Sequence, residues 1–311
     1  MAKADVEGSV IKIETDCFTA QIKTEGYVSG VAEGSFVDKK TGARDLGYGL
    51  DIVDFLLEPG EDDRRYEPDR YVYGDLYHGN IPKRYVELPQ ICTGAKKLEC
   101  QIVKGKDFVA VRQWFRWNNS TACHKPGSLW EQWLIFPDGK RYFLSSDTVT
   151  SVNKSENLFL RTDLPGHIRH KNLDSFSHVY LSYAGFIPNS EFRENFPPDG
   201  HNRDYLYQRG VNPMPERMIR AYQVKKGEAD GPWLAGMTLD PSLVYEAWCH
   251  QREYVCMIQE IGGQKVKSGG RFGAAYAIGW FDGVPDMEKT YDEHKGTRGL
   301  SATENGFQLF R

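Results

Sequence analysis

Six cysteines in 311 residues are too few to staple a fold of this size, and none stands in a Cys-x-x-Cys or zinc-ribbon spacing. Cys17, Cys92, Cys100, Cys123, Cys249 and Cys256 are expected as free thiols, with no disulfide, metal or cofactor holding the fold. No apolar run approaches the roughly 18 residues that cross a bilayer, so a membrane-spanning helix is excluded. The stretch Met1 to Glu7 is polar and lacks the core of a signal peptide; a cytoplasmic location is the expectation. A basic excess is also missing. The chain carries 39 Lys plus Arg against 43 Asp plus Glu, a net charge of -4, which argues against a nucleic-acid partner. Gly47-Tyr48-Gly49 lacks the third glycine of a dinucleotide loop, and no phosphate-loop, serine-elbow, zincin or EF-hand pattern occurs. Internal repeats, low-complexity tracts and Gly/Ser linkers are absent, and no dozen residues hold a helical period over good helix formers.

What the chain does have is alternation. Ile11 and Ile13, then Phe18, Ala20 and Ile22, are separated by polar residues and read as two paired strands. Val109 to Trp117 opposes a largely apolar face to a mixed face carrying Arg112 and Arg116. Trp130 to Phe136, Pro137-Asp138-Gly139-Lys140 and Arg141 to Leu144 form a hairpin whose glycine takes the positive φ of the turn. A second hairpin is expected over Tyr254 to Gln264 with Gly262-Gly263 as its bend, and Phe272 to Trp280 forms a further strand. Trp114, Trp117, Trp130, Trp133 and Trp280 are placed in the core. Glu61 to Arg70 and Asn195 to Tyr205 read as long surface loops. The fold class is all-β, a single domain over 1–311 built as a large antiparallel two-sheet sandwich, because sheets of this extent must cover an apolar face.

The chemistry-bearing residues are histidines and carboxylates set among aromatics and arginines: His78, His167, His170, His178, His201, His250 and Glu260. Imidazole beside a carboxylate runs proton transfer near neutral pH. With 16 Phe, 17 Tyr and 7 Trp, the chain has the rings on which sugars stack, while Arg, Asn and His bind hydroxyls.

Three stretches then bear a likeness. Leu76-Tyr77-His78-Gly79, Ser177-His178-Val179-Tyr180-Leu181-Ser182, and Tyr254 to Glu260 followed by Val266 to Phe272 resemble segments of the galactose mutarotase-like (aldose 1-epimerase) superfamily. The resemblance implies a β-supersandwich and an acid–base epimerase acting on a sugar or oligosaccharide. It implies that Glu260 takes the anomeric proton, His178 protonates the ring oxygen and His78 holds the sugar. A second enzyme reading stays open: a lyase that cleaves a uronate-containing glycan by β-elimination, with His167, His178, His201, Tyr205 and Arg161 as its groups. Arg161, Arg169, Arg193, Arg203 and Arg209 keep it open, since arginine pairs with carboxylate in a bidentate fork. A non-catalytic sugar-binding protein is the third.

Overall fold

The computed structural model describes residues 1–60, 81, 83–121, 123–169, 175–192, 205–227, 229–251 and 254–311. The N-terminal alternation becomes an antiparallel meander of β1 (Lys3–Glu7), β2 (Val10–Glu14), β3 (Phe18–Lys23) and β4 (Val37–Asp38). Among the described residues, two larger antiparallel sheets follow. The nine-stranded sheet has the order β15 (Gly185–Pro188), β14 (Phe176–Leu181), β17 (Met218–Lys226), β18 (Ala229–Thr238), β21 (Arg271–Phe281), β11 (Tyr142–Thr150), β10 (Leu129–Pro137), β8 (Phe108–Arg116), β7 (Glu99–Lys104). The eight-stranded sheet has the order β16 (Tyr207–Gln208), β19 (Val244–Gln251), β20 (Tyr254–Val266), β12 (Ser155–Asp163), β5 (Ile52–Pro59), β6 (Lys83–Leu88), β9 (Asn119–Ser120), and β13 (Ile168–Arg169) pairs with β20 beside that path. A last hairpin, β22 (Gly299–Thr303) with β23 (Gly306–Phe310), two α-helices, α1 (Ile91–Gly94) and α2 (Val284–His294), and two short 3-10 turns complete the elements among the described residues.

Period-two patterning decides what faces what. On β21, Ala274, Tyr276, Ile278 and Trp280 enter the core shared with Leu158 and Leu160 of β12 and Val255, Met257 and Ile261 of β20. Ala275, Ala277 and Phe281 point the other way and are covered by Met287 and Tyr291 of α2 and Leu300 of β22. Each fully buried Leu, Ile or Phe contributes roughly 1.5–3 kcal/mol, so the core between the sheets carries the fold. The β10–β11 hairpin forms with Gly139 at φ 72, as its turn sequence requires.

Three sequence expectations are corrected. The hairpin expected at Tyr254 to Gln264 does not exist: β20 runs through, and Gly262 (φ 96) and Gly263 (φ 64) form a bulge opposite β12. The glycines are needed because a Cβ there would lie 2.8 Å from the Phe272 ring and 2.5 Å from the Tyr245 ring respectively. Trp117, Trp130 and Trp280 are core residues, whereas Trp114 and Trp133 are half-buried and flank Arg112 at 5.1 and 5.9 Å. Helix α2 escapes the periodicity count because only Met287, Thr290 and Tyr291 are buried on it. The expected loops, 61–70 and 195–205, lie outside the described residues except for Tyr205.

Two carboxyls lie inside the sandwich. Asp51 accepts from Gln132 Nε2 at 3.0 Å and from Ser145 Oγ, and Asp147 accepts from Trp130 Nε1 at 2.9 Å. Burial pushes Asp51 up to about 7, and burial together with the charge of Asp51 pushes Asp147 well above the usual carboxylate range. An acid with a raised folded pKa binds its proton more tightly in the native state. It therefore supports folding most below the ordinary carboxylate value, and that support declines as pH rises toward the folded pKa. Asp147→Asn, which keeps the acceptor for Trp130, is expected to flatten the fall in stability between about pH 4 and pH 7 relative to wild type. Urea midpoints across that range check it; parallel curves for the two proteins contradict it.

Candidate active site

The face of the eight-stranded sheet turned away from the core carries charge. Alternation along β20 puts Tyr254, Cys256, Ile258 and Glu260 on this side, and β12 adds Arg161 and Asp163. Glu246, Glu260 and Arg161 fall in one cross-strand row. Arg161 donates to Glu260 Oε1 through Nη2 at 2.7 Å and Nε at 3.0 Å, while Lys83 of β6 bridges Glu246 at 2.8 Å and Glu260 Oε2 at 2.9 Å. All four side chains are 1 % exposed or less. Their charges cancel, and the two cations lie over rings, Arg161 5.3 Å from Trp248 and Lys83 5.5 Å from Phe159.

Beyond this row β12 ends at Asp163 and turns through Leu164-Pro165-Gly166, and β13 returns the chain along β20. The turn brings His167 Nε2 to 3.1 Å from Asp163 Oδ2. Gly47 and Ile168 form a bridge, and Asp51 donates its N–H to Pro165 O, so residues 47–51 run beside this turn. The approach demands glycine: a Cβ at Gly47 would sit 1.4 Å from the His167 carbonyl oxygen, and one at Gly166 2.0 Å from that of Gly49. Tyr48, carried between the two glycines, stands edge-on to Tyr254 at 5.1 Å, and Tyr254 packs on the His167 ring at 5.1 Å. Asp54 of β5 accepts from Gln90 Nε2 at 2.8 Å and from Cys92 Sγ at 3.2 Å. These groups line a cavity of about 310 Å³ whose walls also include Tyr27, Phe55 and Thr93; no Lys or Arg is among its described lining residues.

Burial raises both carboxyls of the cavity. Asp163 is pushed well above the usual range by burial and then by the charge of Asp54, against the opposing charges of Arg161 and Arg220. Asp54 is raised by burial, opposed by the donation from Cys92 and Gln90 and by the charge of Arg161. Burial also pushes up the Cys92 thiol and the Tyr254 phenol, which stay neutral. Two interacting carboxyls lose their protons in two steps, so one stays protonated at a pH where an exposed aspartate has long ionised.

The sequence-predicted residues are distributed differently from expectation. Arg161 and Glu260 are brought together, but as an ion pair: the oxygens of Glu260 are occupied by Arg161 and Lys83, so it is no free base. His178 lies on β14 in the other large sheet, on the pleat side of Tyr180, which packs against the core cluster beneath α2. The expected opposition of Glu260 and His178 across one sugar is therefore not formed by any described contact, because each lies on the outward face of its own sheet. His167 lines the cavity. Tyr205 instead stacks on Phe192 at 5.8 Å. His78, His170, His201, Arg193 and Arg203 lie outside the described residues. Arg169 pairs with Glu33 and covers Tyr48, and Arg209 donates to the carbonyls of Ser242, Gly262 and Gly263, so neither is poised for a substrate carboxylate. Asp54, Asp163, Tyr48 and Cys92 were not anticipated. The available signal was an acid inside the apolar run Ile52 to Leu57 and an Asp163-Leu-Pro-Gly-His167 turn closing an apolar strand.

No protein-family model and no curated protein matches this sequence. Solved structures of similar course include proteins described as epimerases, a glucanotransferase and a galactosidase. The chain is similar to a galactose 1-epimerase from Lactobacillus acidophilus NCFM (8% identity, 91% of this chain and 100% of that one, TM-score 0.47). It is similar to a putative aldose 1-epimerase from Klebsiella pneumoniae subsp. pneumoniae MGH 78578 (10%, 94% and 85%, TM-score 0.46). A galactose mutarotase-like protein from Lactobacillus casei ATCC 334 is another such structure (12%, 87% and 99%, TM-score 0.42). At these identities the chemistry rests on the site's own residues.

Glu260→Gln removes one of two anions from a buried four-charge row, and breaking such a pair typically costs about 3–5 kcal/mol. A large drop in the denaturation midpoint is expected; an unchanged midpoint would show that the row does not hold the sheet. Gly47→Ala is expected to lower the melting temperature and to detach Tyr48 from Tyr254, seen as a change in near-ultraviolet circular dichroism.

Proposed function

We propose that the cavity holding Asp54, Asp163 and His167 is an acid–base site that interconverts the anomers of a neutral aldose. The observation that carries this reading is the pair of buried carboxyls in one aromatic-walled cavity, one of them in contact with a histidine. Asp54, whose charge is supported by Gln90 and Cys92, is the proton acceptor; Asp163 with His167 is the proton store. In the step, Asp54 takes the hydrogen of the anomeric hydroxyl, the C1–O1 bond becomes a carbonyl and the C1–O5 bond breaks. O5 takes the proton held by Asp163 and His167. Rotation about C1–C2 and the reverse transfers close the ring on the other face. Tyr48, Tyr254 and Phe55 offer rings to the apolar side of the sugar.

A uronate substrate is disfavoured by the same lining. β-Elimination needs a cation at the carboxylate to stabilise the enediolate. The described arginines of the expected cluster are engaged by Glu260, by Glu33 and by carbonyl oxygens.

Polarimetry on fresh single anomers of neutral aldoses tests the proposal. Wild type is expected to accelerate equilibration, while Asp54→Asn and Asp163→Asn each lower the rate at least about 100-fold at nearly unchanged melting temperature. The reaction needs Asp54 ionised and the Asp163–His167 pair protonated, so the pH profile is expected to be a bell with both limbs above the ordinary carboxylate value of about 4. No acceleration by wild type, or release of an unsaturated uronate absorbing in the ultraviolet, overturns the reading.

A further inference from the structure

Under the Asp163 turn, on the core side of the eight-stranded sheet, lies a cation with no anion beside it among the described residues. Arg220 of β17 belongs to the opposite sheet and is wholly buried. Its guanidinium crosses the sandwich and donates to Leu164 O at 3.0 Å through Nη1 and to Trp248 O at 2.6 Å through Nη2, with Cys249 Sγ at 3.8 Å. Among the described residues no carboxylate lies within ion-pair distance of it. The sheets approach closely at this point. A Cβ on Gly236, which is paired with Arg220 on β18, would lie 2.7 Å from the Leu164 side chain and 2.9 Å from Pro165 Cα.

An arginine kept in the interior without a neighbouring anion is unfavourable unless its hydrogen bonds and its field do something there. Both act on one place. Leu164 is the residue after Asp163 and opens the turn to His167, so the Nη1 bond fixes the peptide that sets the Asp163–His167 distance. The charge acts on the same carboxyl and favours its ionised form. Asp163 is otherwise faced by Asp54 from β5, Arg161 from its own strand, His167 from its own turn, Tyr254 from β20, Cys92 from α1 and Tyr27 from the loop after β3. Arg161 is committed to Glu260, and burial keeps Tyr254 and Cys92 neutral. Arg161 and, after it, Arg220 are thus the arginines whose charge opposes Asp54 at this carboxyl, and Arg220 is the one not engaged in a described ion pair.

We infer that Arg220 is a positioning residue for the proton store: it holds the Leu164 carbonyl so that Asp163 and His167 stay in contact, and it adds a buried positive charge beneath their turn. The inference rests on the reading of Asp163 and His167 as proton-transfer groups.

Carboxyl-carbon NMR of aspartate-labelled protein and ring NMR of histidine-labelled protein, followed across pH in the whole chain, test it without any turnover. Asp163→Asn and His167→Gln identify the two signals. In Arg220→Gln the Asp163 midpoint is expected to rise by about one pH unit or more, because an opposite charge has been removed. An unchanged midpoint in a folded Arg220→Gln protein overturns the inference. Arg220→Lys keeps the charge and loses the fork that spans two carbonyls. It is expected to leave Asp163 near its wild-type midpoint and to move that of His167 by about half a pH unit as their contact loosens. If Arg220→Gln does not fold, a His167 titration in Arg220→Lys identical to wild type overturns the inference alone. A wild-type protein inert toward aldoses would remove the functional reading and leave these titrations to decide the role of Arg220.

Discussion

The row of Glu246, Glu260, Arg161 and Lys83 is the constraint around which the outer face of the eight-stranded sheet is arranged. Four charges out of water are tolerable only if they offset one another. The row meets this with two acids and two bases on β19, β20, β12 and β6, and with Trp248 and Phe159 beneath the cations. Among the described contacts, its acids are engaged by its bases rather than turned toward the cavity. It also ties the neighbouring strands β19, β20 and β12 to β6 on the far side of β5.

The carboxyls proposed to react and the structural ones are told apart by their partners rather than by burial, which they share. Glu260 has a cation on each oxygen. Asp51 and Asp147 sit among amides, hydroxyls and an indole in the closed core. Asp54 and Asp163 have mostly neutral or shared partners and line a cavity. Arg220 reinforces that distinction from below, since it lends charge to the turn without closing an ion pair on it.

The glycines near the site show how the backbone serves this chemistry. Gly47 and Gly166 allow two turns to lie backbone against backbone, which a side chain at either position would prevent. Tyr48 and His167 are carried into the same cavity by that contact although 119 positions separate them in the chain. A dipeptide repeat of glycine that fails as a dinucleotide loop is thereby explained as a packing device.

The all-β class, the N-terminal strands, the β10–β11 hairpin, the β21 strand and the core places of Trp117, Trp130 and Trp280 follow from the sequence by itself, because each depends on residues a few positions apart and on a period of two. The meaning of Gly262-Gly263 does not: a bend and a bulge use the same dihedrals, and the rings of Phe272 and Tyr245 across the pleat select the bulge. The site is the clearest case. Local pattern marks Arg161, His167 and Glu260 as chemically able, but only tertiary pairing commits Arg161 to Glu260, sets His178 in another sheet and places Asp54 beside Asp163. Ionisation and access depend on the groups within a few ångströms in space, and those groups come from β5, β12, β20, α1 and β17, which the linear order keeps apart.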